Sequence, residues 1–198
     1  MKTGKTVKVL LTAATAAGML AGCGSKTDTD TFRFASELDI QGMDSTVVDD
    51  GMSFNAIHAI TDGLTAVNEK GKTAPAIAKS WDVSDDGKTY TFHLRDAKWT
   101  NGDKVTANDF VYSWRKIIKD AGNYAYMLGS GGASVKNADA LMELGANATD
   151  EQMATLGVTA KDDKTLVVEL ENKVPYFTDL MAFPCYFPQN EKFVEKCG

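Results

Sequence analysis

Apolar residues recur along this chain with two different spacings, and the switch between them marks its elements. Phe110, Val111, Trp114, Ile117 and Ile118 form a stripe at helical spacing with polar residues between them, predicting an amphipathic helix that runs to about Lys119. Thr106-Ala107-Asn108-Asp109 predicts its start as a capping box, in which the Thr106 hydroxyl accepts from the N–H of Asp109 and the Asp109 carboxylate reaches back to Thr106. Residues 89–94 alternate instead. Tyr90, Phe92 and Leu94 share one face and Thr89, Thr91 and His93 the other, as in a half-buried strand. Asp85-Asp86-Gly87 before it supplies a residue that tolerates positive φ, so residues 80–94 predict a hairpin. A second hairpin is predicted from 157–161 and 165–171 around the Asp162-Asp163-Lys164 turn.

The weaker signals fill in between. Phe32-Arg33-Phe34-Ala35 reads as a strand that runs on into a loop, and residues 42–50 are turn-rich and acidic. Ser53 is placed to cap a helix carrying Phe54, Ile57, Ile60 and Leu64. Residues 64–67 are a short strand turned by Asn68-Glu69-Lys70-Gly71, and Asn101-Gly102 is a further turn. Gly129 to Gly132 reads as a flexible loop; with no Lys-Ser/Thr after it, it lacks the pattern of a phosphate cradle. Short helices are predicted at 137–145 and 150–156. Another opens at Pro175 and buries Tyr176, Phe177, Leu180 and Met181. Pro184 and Pro188 interrupt the next stretch, and a last helix begins near Asn190. Strands mixed with helices in this order predict an α/β fold.

The first residues follow a different logic. Lys2, Lys5 and Lys8 make the N-terminus positive, and the mostly apolar run from Val7 to Ala21 has no acidic residue, the layout of a secretion signal over residues 1–22. The run is too short and too rich in Ala and Thr for a good membrane span. Leu20-Ala21-Gly22-Cys23 resembles a bacterial lipobox, which implies cleavage before Cys23 and lipid attachment to its sulfur. Several acyl chains, at about 0.8 kcal/mol per buried methylene, make a firm anchor. Residues 23–30 are small and polar and read as a flexible stalk. The product is then expected to be exported and lipid-anchored to the outer face of the bacterial cytoplasmic membrane.

Charge and residue chemistry narrow the function. The leader holds three of the 21 Lys+Arg and none of the 27 Asp+Glu, so the remainder has 18 against 27, a net charge of −9. That argues against a nucleic-acid partner, which needs clustered cations. No His/Cys/Asp/Glu group has metal-ligand spacing, and no cofactor is expected. The two histidines read as surface residues, His58 partly packed on its helix and His93 solvated on the polar strand face. Asp109 reads as a helix cap alone. With no Gly-x-Ser-x-Gly turn, a nucleophilic hydrolase is disfavoured. Cys185 and Cys197 allow one disulfide or two free thiols.

One stretch, "PAIAKSWDVSDDGKTYTFHLRDAKWTNGDKVTANDFVYSW", resembles the family 5 extracellular solute-binding proteins, the oligopeptide and dipeptide receptors of ATP-driven importers. Its distinctive pieces are Trp81, Asp86-Gly87, residues 90–95, Trp99, Asn101-Gly102 and residues 105–114; the later "GVTAKDDKTLVVELENKVPYF" is similar to the same family's second hairpin and helix. The resemblance implies a two-lobed periplasmic-binding-protein-like fold of class II type. In it, residues 31–51 begin the ligand-binding lobe, 52–190 form a small inserted domain and 191–198 start the return. Family members are considerably longer, so the chain is expected to be an N-terminal fragment that binds peptide weakly or not at all by itself.

By the same resemblance, Asp39, Ile40 and Gln41 offer backbone groups to a peptide lying as an added strand, a mode that tolerates varied side chains. Tyr124 matches a tyrosine near the ligand; an aromatic core or surface residue is the other reading. Ser45 stands where the family often has proline after the residue matching Asp44, which is expected to loosen that turn. The implied partners are short peptides and the permease and ATPase subunits of the importer, with the protein a monomer held to the membrane through Cys23. Nickel, haem and sugar receptors share the scaffold, and a peptide-signal sensor would look the same. Without the rest of its lobe, segment 31–51 is expected to be loosely held.

Overall fold

The computed structural model describes residues 35–197; the leader, Cys23, the stalk and residues 32–34 of the strand expected at 32–35 lie outside them. The chain divides into two compact units, Met1–Glu37 and Leu38–Gly198. Of the first, Ala35, Ser36 and Glu37 are exposed and irregular. The account that follows concerns the second.

Helix α1 (Gly51–Ile60) leads into a small ladder of β1 (Thr65–Val67) and β2 (Thr73–Pro75). A four-stranded antiparallel sheet follows in the order β3-β4-β6-β5, built from two hairpins, β3 (Ala78–Val83) with β4 (Thr89–Leu94) and β5 (Val158–Asp162) with β6 (Thr165–Glu169). Between the hairpins runs α2 (Ala107–Lys119), followed by the short helices α3 (Ala138–Leu144) and α4 (Asp150–Met153). After β6 come α5 (Phe177–Leu180), a 3-10 turn at Pro184–Tyr186 and α6 (Glu191–Cys197). Among the described residues no helix is long and apolar enough to cross a membrane.

Both hairpins join because β4 and β6 pair centrally, from Thr89↔Glu169 to His93↔Thr165. Gly87 adopts φ +70°, the conformation the first turn requires and a Cβ would strain. The alternation in β4 is realised: Tyr90, Phe92 and Leu94 are buried, while Thr89, Thr91 and His93 are partly exposed. The α2 stripe lies in the same core, with Phe110, Trp114 and Ile117 fully buried. Phe177 closes it, its ring 4.4 Å from that of Tyr90. Each such side chain contributes about 1.5–3 kcal/mol by leaving water, which makes this layer the main source of cohesion.

Several local expectations change. The cap of α1 is Asp50, whose Oδ1 accepts from the N–H of Ser53 at 2.8 Å, so Ser53 sits inside the helix with its hydroxyl free for other work. Leu64 lies beyond the helix and is buried on its own account, whereas Ile60 is exposed. Helix α5 begins at Phe177 rather than Pro175; Tyr176 precedes it and is exposed, because the chain turns only after Val174 has entered the core. The glycine-rich segment is a closed turn: the N–H groups of Ala133 and Ser134 donate back to Met127 and Gly129, and Ser130 N–H donates to Asp139. His93 is paired across the hairpin with Asp82 at 2.7 Å. Cys185 and Cys197 are both free, the first buried and the second exposed.

Candidate functional site

Segment 38–50 lies beside α1 and α2, and one partly buried lysine organises it. Lys116, only 15% exposed, emerges from the last turn of α2. Its Nζ donates to Asp44 Oδ2 at 2.8 Å, Thr46 Oγ1 at 2.8 Å and Asp120 Oδ2 at 2.6 Å. Asp44 Oδ1 in turn accepts from the Thr46 N–H at 2.9 Å, the Thr46 hydroxyl at 2.7 Å and Gln189 Nε2 at 2.6 Å. Burial alone would raise the Asp44 carboxyl, but the hydrogen bonds from Lys116, Thr46 and Gln189 outweigh it and hold it down at about 2. Burial likewise works against the Lys116 charge, and its bonds to Asp120 and Asp44 prevail, raising its pKa.

Gln189 belongs to the stretch after α5, which crosses α2. There Ser113 Oγ donates to the Phe187 carbonyl at 2.6 Å and Trp114 Nε1 to the Tyr186 carbonyl at 3.0 Å. The cluster therefore ties together three separate pieces of chain: 44–46, α2 and 186–189. Ser45, expected to loosen its turn, is buried and accepts from Gln189 Nε2 at 3.2 Å; the N–H groups of Val47 and Val48 donate to the Asp44 carbonyl. For residues 44–48 the expectation of a loosely held segment gives way to a pinned turn, because its partners lie on α2 and the 186–189 stretch.

The turn after α2 docks on the same segment. Gly122 packs against the Thr46 carbonyl, and Asn123 Nδ2 donates to Asp49 Oδ2 at 2.7 Å. That places Tyr124, half-buried, in a group of rings: Phe54 at 5.2 Å, Phe183 at 5.3 Å and Tyr126 at 6.0 Å, the last stacked and half exposed. Asp39, Ile40 and Gln41 are exposed. The Ser53 hydroxyl accepts from the N–H groups of Gln41 at 3.0 Å and Gly42 at 3.2 Å, and Gln41 Nε2 donates to the Asp39 carbonyl. Among the described residues the N–H groups of Asp39 and Ile40 have no hydrogen-bond partner, and no hydrogen bond or ring contact joins Tyr124 to residues 39–41. The connection runs through α1, where Ser53 holds Gln41 and its neighbour Phe54 touches Tyr124.

Elsewhere, Asp109 does more than cap α2. Its Oδ2 accepts from the Thr106 N–H at 2.7 Å and from Trp99 Nε1 at 3.3 Å, while burial raises its pKa against those bonds. A cavity of about 180 Å³ lies at the far end of α1 between Ile60, Asp62, Arg95, Lys98, Trp99 and Pro188; none of residues 39–41 nor Tyr124 lines it. Among the described residues no cluster of His, Cys, Asp and Glu could hold a metal ion. Lys116 escaped the sequence reading because it lies on the polar side of α2, where a lysine is usually solvated. Asp120, four residues on, was the one visible hint.

Comparison with known proteins agrees with this architecture. The model of the bacterial extracellular solute-binding proteins, family 5 middle region, matches residues 72–196. The chain is similar to a dipeptide-binding protein of Lactococcus lactis subsp. cremoris, 39% identical over 100% of this chain and 35% of the relative. Among solved structures it is similar to the substrate-binding domain of an oligopeptide ABC transporter from Bacillus anthracis, with TM-score 0.76, 41% identity, and 83% of this chain and 31% of that one covered. It is also similar to Listeria monocytogenes OppA bound to peptide, with TM-score 0.70, 40% identity, and 79% of this chain and 30% of that one covered. The chain spans about a third of the length of the curated relative it matches from end to end. Its α/β architecture is that of part of a periplasmic-binding-protein-like fold, and the chain belongs to the family 5 bacterial extracellular solute-binding proteins.

Proposed function

We propose that this protein captures short peptides outside the cell and delivers them to the permease and ATPase of an ATP-driven importer, without performing chemistry on them. The reading assigns Cys23 as the lipid tether and residues 39–41 with Tyr124 as ligand contacts. What carries it is the state of the 39–41 backbone. Ser53 takes the N–H of Gln41, while among the described residues the N–H groups of Asp39 and Ile40 have no hydrogen-bond partner. A peptide main chain can satisfy those free groups, whatever its side chains. The aromatic group around Tyr124 adds apolar surface that fits peptide side chains without a charge requirement.

Closure of two lobes around the ligand would be the working motion. Titration calorimetry on the protein expressed from its complete reading frame, with a pool of peptides of mixed sequence, tests the assignment. Heat of binding that competes between unrelated peptides is expected. Absence of binding to any peptide, or tight binding of nickel, haem or a sugar instead, overturns it.

A further inference from the structure

We infer that Lys116 is a positioning residue for the ligand segment: its ammonium, through Asp44 and Thr46, sets where residues 39–42 lie relative to Tyr124. The inference rests on the peptide reading for its functional half and on geometry for the rest. Three observations carry it. Lys116 is nearly buried yet spends all three donors on Asp44, Thr46 and Asp120, so it has no capacity left for solvent or for a ligand. Asp44 and Thr46 stand two and four residues after the 39–42 stretch, with Ser53 fastening Gln41 and Gly42 on the other side. The loop that presents Tyr124 touches the same turn twice, Gly122 on the Thr46 carbonyl and Asn123 on Asp49.

Among the described residues the Lys116 ammonium is therefore the cation that holds both halves of the proposed contact surface in register. Gln189 extends the clasp to the chain that crosses α2 on its way to α6, so the 44–46 turn and the 186–189 stretch share one anchor. Losing the cation would leave the half-buried Asp44 carboxylate without its charge partner, and the turn would reorient to rehydrate it.

Hydrogen exchange on the unliganded chain, compared with Lys116→Met and Lys116→Arg, tests the geometric half. In Lys116→Met the amides of Gln41, Gly42, Thr46, Val47 and Val48 are expected to exchange about tenfold faster, with the β4 and β6 amides unchanged. Lys116→Arg, which keeps a cation at this position, is expected to restore most of the protection. Unchanged exchange at 41–48 in a folded Lys116→Met overturns the inference. Should that variant lose β4 protection too, Asp44→Asn and Gln189→Ala, each removing one partner and leaving the lysine, are read by the same criterion. For the functional half, peptide affinity from the calorimetric pool is expected to fall about tenfold in Lys116→Met and recover in Lys116→Arg; equal affinity across the set overturns it. No binding by the unsubstituted protein would sink the peptide reading alone, and the exchange pattern would still decide the clasp.

Discussion

Gly122 and Thr46 meet backbone to backbone: a Cβ at position 122 would fall on the Thr46 carbonyl oxygen, an atom that cannot swing away as a side chain would. The turn after α2 and the turn at 44–48 are thus fitted to one another, and the proposed ligand tyrosine follows directly.

Gly122→Ala is expected to push the two turns apart at a cost of about 1–3 kcal/mol, by overpacking a contact that cannot relax. Denaturant titration would show the loss. A change in near-ultraviolet circular dichroism from the Tyr124 ring group should accompany it. An unchanged midpoint would mean that the loop relaxes freely.

Trp114 and Ser113 hold the crossing stretch by donating to the carbonyls of Tyr186 and Phe187. Ser113→Ala leaves the Phe187 carbonyl buried and unpaired, and about 1–3 kcal/mol should be lost. Thermal unfolding measures it, and a shift under one degree would contradict the assignment.

Stability should fall in acid through Asp44. Its carboxyl is held at about 2 when folded against its ordinary 3.8, so its contribution is complete above the unfolded value and is lost as pH drops from about 4 toward 2. The side chain is 41% exposed, so solvent screening reduces the effect to the order of 1 kcal/mol. Asp109, raised by burial, slopes the opposite way, since its protonated form is the one favoured in the fold. Asp44→Asn should flatten the acid limb of the stability curve; an unchanged limb would place the effect elsewhere.

Tyr124→Phe should leave stability and peptide affinity nearly unchanged, because the ring packing against Phe54 and Phe183 is kept. Tyr124→Ala should weaken peptide binding about tenfold if the ring meets ligand. Equal affinities for the two variants would assign Tyr124 to packing only.

The two thiols should differ sharply toward a disulfide reagent in native buffer. Cys197 is exposed and should react within minutes, whereas Cys185 is enclosed and burial raises its pKa, so it should react only on unfolding. Mass mapping after labelling distinguishes them.

Much of this fold was legible from one dimension. The β4 alternation, the α2 stripe, the capping box and both hairpin turns are local: spacing and turn chemistry specify them before any long-range contact forms. The positions that shifted were those where a distant partner decides. Asp50 displaced Ser53 as a cap, which freed the Ser53 hydroxyl for Gln41. Tyr176 stayed outside because Val174 had already entered the core. Residues 39–41 and Tyr124 were reached through likeness to a family, and no periodicity marks them, since exposed backbone groups carry no side-chain signal. Lys116 was hidden for a related reason: polar residues on a helix look solvated until a second segment, 72 residues earlier in the chain, lays a carboxylate against them. Hydrophobic patterning thus wrote the sheet and its main helix, while the partly buried Lys116 cluster exists only where three remote pieces of chain converge.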